Sequence, residues 1–246
     1  ADGIRDPPYS LVGSEMCIRD RARGPLFAFS FLIMVLGLAR HVLLQVHGLV
    51  TRKGQRLRQA PWRRIASSTL SWAVPVRHLD RSTLVMTSAS FLFHVGAVVV
   101  PIFLAAHVAL WSGFLGVSLP ALGEGVADLL TVLTIVCVLV LVGYRLSTPR
   151  ARALTRASDY GVLGLVLLPF ASGFLAAHPV VNPLPWSGMM LLHILSAELL
   201  LVAIPFTKLA HVVLFPFDRL SEVHWQLRPG AGERVAAALY GEEAQV

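Results

Sequence analysis

Two stretches of this chain carry no charged side chain: residues 82–123 and 160–197 contain no Asp, Glu, Lys or Arg. A helix of about 20 apolar residues crosses the hydrocarbon core of a bilayer. Inside lipid the backbone must satisfy its own hydrogen bonds, which leaves helices or closed barrels as spanning structures. Runs of this length and apolarity therefore predict transmembrane helices. Composition agrees, since 14% of residues are charged where ordinary soluble domains have about 25%. The chain is expected to be an all-α membrane protein.

Residues 1–21 (ADGIRDPPYSLVGSEMCIRDR) lack the apolar core of a signal peptide. Back-translated, Leu11 to Arg21 resembles one reading frame of a transposon-end adapter from sequencing libraries, and Asp2 to Asp6 resembles the primer ahead of it. The alternative is a native extension. Residues 1–21 are read as an artefact and set aside, which leaves 18 Lys and Arg against 10 Asp and Glu.

Five spans are expected: about Pro25 to His47, Leu84 to Trp111, Val126 to Tyr144, Tyr160 to Ala177, and Met189 to Phe217. The connector 48–83 carries eight Lys or Arg and the connector 145–159 carries four, whereas 112–125 and 178–188 carry none. By the positive-inside rule the basic connectors and the C-terminus are cytoplasmic and the first span starts outside. Residues 22–225 form the expected five-helix domain, and 226–246 form a cytoplasmic tail. A bacterial or archaeal cytoplasmic membrane is the expected location, with no nucleic acid among the partners.

Four histidines fall inside the spans. His193 and His211 are 18 residues apart on the expected fifth helix, which is five turns, so both rings would leave one face roughly 27 Å apart. His94 and His107 lie on the second helix, 13 residues apart with Pro101 between them. That spacing puts them some 140° out of phase unless the helix kinks. Intramembrane histidines are costly and usually functional, although a lone one can simply hydrogen-bond to a neighbouring helix. Order along antiparallel helices pairs His94 with His211 near the cytoplasmic side and His107 with His193 near the outer side. Two depth-matched pairs suit two bis-histidine haems b, with these four residues as cofactor-binding iron ligands. Cys17 and Cys137 form no CxxCH motif, which excludes covalent haem attachment and a cysteine-ligated cluster.

His178 ends the fourth helix and is a candidate substrate contact, while His41 and His47 near the inner end of the first helix are candidates for a haem propionate, with snorkelling to the surface as the alternative. Three carboxylates near the outer pair are candidates for moving quinol protons: Glu198, five residues past His193, and Glu124 and Asp128 at the start of the third helix. Glu198 has a structural alternative as a protonated residue bonded to a neighbouring helix, and the other two as ordinary negative charge at a helix N-terminus.

At these residues the chain resembles the gamma, cytochrome b subunit of respiratory nitrate reductase and its relatives in sulfite-reduction and other redox complexes. LFHVG (92–96) resembles the segment around that family's first haem ligand. His193 and His211, with PFTKLAH (205–211) leading into the second, resemble the ligand pair on its last helix. The resemblance implies two haems b, quinol oxidation on the outer side, and electrons passed inward to an iron–sulfur subunit of an oxidoreductase complex. Two departures, the wider spacing of the second-helix histidines and an outer loop without lysine, point away from nitrate as the terminal acceptor. The alternative outside redox chemistry is a haem-free polytopic transporter or intramembrane enzyme. A transporter would show discontinuous helices in an internal repeat, and an intramembrane enzyme would show a metal motif; neither pattern is apparent in the sequence.

Overall fold

An apolar run in lipid satisfies its backbone most simply as a helix, and five helices of this protein are long and apolar enough to cross a membrane: Gly24–Gly48, Leu84–Phe103, Glu124–Ser147, Ala157–Ala177 and Trp186–Phe206. The computed structural model describes residues 22–58, 62–73 and 84–226, together with positions 235 and 237. Residues 1–21, His78 and nearly all of the tail 226–246 lie outside the described residues. Between 6% and 33% of each span is buried within the protein. Much of the remaining surface is Leu, Val and Phe, as in Leu129 at 65% and Leu199 at 57% exposure. Such a surface suits lipid and not water.

After a π-helical turn at Ala22–Leu26, the helices are α1 (Phe27–Arg58), α2 (Trp62–Ala73), α3 (Leu84–Phe103), α4 (Ala105–Leu115), α5 (Glu124–Ser147), α6 (Pro149–Leu154), α7 (Ala157–Ala177), α8 (Trp186–Ala203) and α9 (His211–Gln226). They divide into two compact units, residues 1–34 with 80–203, and residues 35–79 with 204–246.

In the first unit α3 packs on α5, α5 on α7, and α7 on α8. The central helix α5 accordingly holds the most buried side chains, Thr134 and Val138, each 1% exposed. Small residues set the approach: a Cβ at Gly96 of α3 would collide with the Thr134 hydroxyl. Thr131 and Thr134 return their own hydroxyls to the Ala127 and Leu130 carbonyls one turn back, so neither is left as an unpaired polar group in the core.

The expected second helix is interrupted. It passes through Pro101 and ends at Phe103, where Leu104 turns extended at φ −61° and ψ 133°. Beyond the break, α4 leaves the axis of α3 and the chain comes back, so that the Leu122 amide donates to the Phe103 carbonyl at 2.9 Å. The Trp111 indole N–H donates to the Pro101 carbonyl at 3.2 Å, a contact that ten residues of straight helix, about 15 Å, would not permit. Phe27 and Phe31 of α1 pack on Trp111 and Phe114 of α4, with ring centroids 5.2 to 5.9 Å apart. Twenty residues of α3 already suffice to span the core, so α4 is an addition at its end.

In the second unit α2 packs on α9, and α1 packs on the segment around Pro205, where a Cβ at Gly37 would meet the proline ring. His41 Nε2 donates to the Pro205 carbonyl at 2.8 Å.

The expected fifth helix is also not continuous. It stops at Ala203, passes through short 3-10 turns at Ile204–Phe206 and Lys208–Ala210, is extended at Thr207, and resumes at His211. Pro205 has no N–H to continue the ladder, and the Thr207 hydroxyl takes the Leu209 amide instead. His193 and His211 therefore stand on different helices in different units. The single-face geometry expected from their 18-residue spacing does not hold.

Docking of α4 can be tested at Trp111. Trp111→Phe keeps a ring against Phe27 and Phe31 and removes the donor to Pro101. The loss of about 1–2 kcal/mol should speed amide hydrogen exchange across 104–122 roughly five- to thirty-fold and leave 124–147 unchanged. An unchanged rate in 104–122 would show that this bond does not hold α4.

Candidate functional site

The break at Leu104 brings together two rings that a straight helix would not. His107, on the first turn of α4, lies against His193 of α8, with the imidazole planes 3° from parallel and the centroids 6.0 Å apart. This is the outer pair expected from the sequence, reached through an interrupted helix and not through a smooth kink.

Helix α7 builds the seat for His193. The ring's Nδ1 donates to the Pro169 carbonyl at 2.9 Å, which leaves Nε2 as the basic nitrogen. One turn further along, Gly173 makes room for the ring: a Cβ there would lie 2.8 Å from Cε1 and 2.9 Å from Nδ1. Ser172, 2% exposed, donates to the Leu168 carbonyl at 2.7 Å. Neither Pro169 nor Gly173 is singled out by the sequence alone. The available signal is a proline and a glycine one turn apart on a span, a spacing that is frequent by chance. The buried Nδ1 of His107 has no hydrogen-bond partner among the described residues, and the ring lies against the backbone of Val100 and Pro101.

The other two expected ligands are exposed at their own positions. His94 of α3, in the first unit, donates from Nδ1 to the Ser90 carbonyl at 2.6 Å. His211, which opens α9 in the second unit, donates from Nδ1 to the Lys208 carbonyl at 2.7 Å. Three of the four expected ligands thus carry their proton on Nδ1 against a backbone carbonyl, the arrangement typical of metal-bound histidine. His178 shares it, donating to the Phe174 carbonyl at 2.8 Å, so the pattern by itself does not select ligands.

The carboxylates are placed at three levels. Glu124 is the exposed first residue of α5. Asp128, one turn on, reaches His178 at the end of α7 with 3.3 Å between Oδ2 and Nε2. The His178 ring stacks on Phe174 at 4.1 Å. His178 is five residues past Gly173, about 7–8 Å toward that end of α7. Glu198 lies five residues past His193 in the opposite direction. It is 4% exposed, and neither carboxyl oxygen has a hydrogen-bond partner among the described residues. A bond from Glu198 to a neighbouring helix, one of its two expected roles, is not formed.

A protein of Nitratidesulfovibrio vulgaris Hildenborough, described only as "Protein", is 39% identical over 202 residues, which cover 80% of this chain and 88% of that protein. The chain belongs to its family. No family model and no solved structure matches the chain.

The seat of His193 makes a stability prediction. Gly173→Ala should cost about 1–3 kcal/mol through overpacking, seen as a lower unfolding midpoint in detergent. Adding His193→Ala should recover most of that loss, because the clash is with the imidazole. Equal losses in the two His193 backgrounds would place the strain elsewhere.

Proposed function

We propose that this protein is a membrane cytochrome b subunit that oxidises a quinol and relays electrons through two bis-histidine haems b to an iron–sulfur partner subunit. The parallel His107–His193 pair carries the reading. The two rings lie with planes 3° apart and centroids 6.0 Å apart, close enough that one bound group would meet both. The Pro169 carbonyl fixes the tautomer that ligation needs, and the glycine at 173 leaves space around the ring.

Haem, when bound, supplies the one-electron chemistry that side chains lack. On this reading His107 and His193 hold the outer group. His94 and His211, paired by their order along the expected helices and by the resemblance, would hold the other. Glu198, with Glu124 or Asp128, accepts the protons that leave quinol. The basic connectors put the C-terminus in the cytoplasm and the His107–His193 end outside. The resemblance to the nitrate reductase gamma family supplies the direction of flow, from an outer quinol to an inner iron–sulfur acceptor.

One observation favours a second reading. Interrupted helices, here at Leu104 and at 204–210, are a mark of transporters, and a haem-free transporter would use these breaks as its binding elements.

Haem content separates the two. Purified protein should give a b-type pyridine haemochrome with two haems per chain, whereas a folded, haem-free preparation would favour the transporter. His107→Ala and His193→Ala should delete the same spectral component, and His94→Ala and His211→Ala the other. Loss of different components from His107→Ala and His193→Ala would dissolve the outer pair. A reporter fused after Val246 should be active in the cytoplasm, and activity outside would invert the assignment of sides.

A further inference from the structure

Among the described residues Glu198 is a buried carboxyl with neither oxygen partnered, 4% exposed on a membrane-spanning helix. The elements packed on α8 offer it little charge. Helix α7 brings Asp159 and Tyr160 at its first turn and His178 just past its end, with no charged residue between. The π-helical turn at Ala22–Leu26 also packs on α8, and α4 brings His107. On α8 itself the nearest titratable group is His193. Asp159 already accepts the Arg156 amide, and His178 faces Asp128. By the described side chains a charge on Glu198 is therefore poorly compensated, and it responds strongly to any other charge that appears nearby. At an effective dielectric constant of about 20, unit charges about 10 Å apart shift an equilibrium more than tenfold.

Resting on the functional reading above, we infer that Glu198 is a redox-linked proton site: it takes up one proton when the centre held by His193 gains an electron, and releases it when that electron moves on. The balance is simple. Each one-electron step of quinol oxidation releases one electron and one proton; a haem held by His193 would take the electron and the carboxylate the proton, so the local charge would be unchanged. Once the electron had moved on, the carboxyl would again face a positive charge and would give up its proton. Release runs toward the end of α7 and α8 where His178 and Asp128 meet.

A purely structural role makes a different prediction. Pro169 has no N–H to give the Leu165 carbonyl, and by register Glu198 lies near that level of the antiparallel helix α7. A permanently protonated Glu198 that served this carbonyl would leave the redox potential independent of pH.

The experiment is optical redox potentiometry of the purified full-length protein between pH 5.5 and 8.5, following the b-type component that His193→Ala removes. Because reduction brings a proton with it, the potential should fall as pH rises. The fall approaches about 59 mV per pH unit, the value for one proton per electron, over part of that range. Glu198→Gln should abolish the slope and keep the spectrum. Glu198→Asp should retain a slope displaced along the pH axis, and it decides the matter if the Gln variant loses haem. A normal spectrum with a pH-independent potential in the wild type would overturn the linkage alone. A slope that survives in Glu198→Gln, or is unmoved in Glu198→Asp, would assign the proton to another group. A preparation without any b-type spectrum would overturn the functional reading, and the linkage with it.

Discussion

Lipid cannot hydrogen-bond to a peptide group, so each interruption of a spanning helix has to be repaired by the protein. Three prolines inside or at the end of spans show how this chain does so. The Pro101 carbonyl accepts the Trp111 indole, the Pro169 carbonyl accepts His193, and the Pro205 carbonyl accepts His41. At Pro101 the helix ends two residues later, beyond which the usual fourth-residue amide is out of register. At Pro205 the amide of Leu209 is diverted to the Thr207 hydroxyl. In each case a ring N–H supplies the missing or additional donor, and the ring is thereby fixed in direction. The same constraint that closes the backbone positions the aromatic and imidazole side chains.

This explains which parts of the fold are legible in the sequence. The spans are legible because hydropathy and charge are summed over twenty residues. All five expected spans overlap observed ones; three agree to within a few residues, and the second and fifth stop short at Phe103 and Phe206. The breaks are not legible, because an apolar run has the same hydropathy whether continuous or interrupted. Pro101 marks a disturbance in the second helix, yet the chain turns at Leu104, where Trp111 and Leu122 can reach the freed carbonyls. Pro205 lies within PFTKLAH, which reads as helix by apolarity, and Thr207 decides otherwise by capping the next turn.

The candidate site divides along the same line. The pairing of His107 with His193 follows from depth along antiparallel helices, and depth needs only residue order. Their parallel approach does not, because it depends on α4 leaving the axis of α3 and on the vacancy at Gly173. The 18-residue spacing of His193 and His211 illustrates the opposite error. A periodicity argument is valid only while the helix continues, and this one stops at Ala203.

Along α7 and α8 the titratable groups fall into levels about 7–8 Å apart: Glu198 deepest, then His193 with His107, then His178 with Asp128. The levels differ in compensation. The end pair is partly exposed, with a carboxylate against an imidazole. The middle pair has one ring anchored by a carbonyl, and the deepest group has no partner among the described residues. An unpartnered buried carboxyl contributes nothing to packing that Leu or Met would not supply more favourably. Its presence is therefore better explained by a state in which its charge is matched, and on the proposed reading that state is the oxidised centre beside His193. On that reading the electron would leave away from the end pair and the proton toward it. That separation requires the middle level to hold an electron carrier, since otherwise Glu198 has no changing charge to answer.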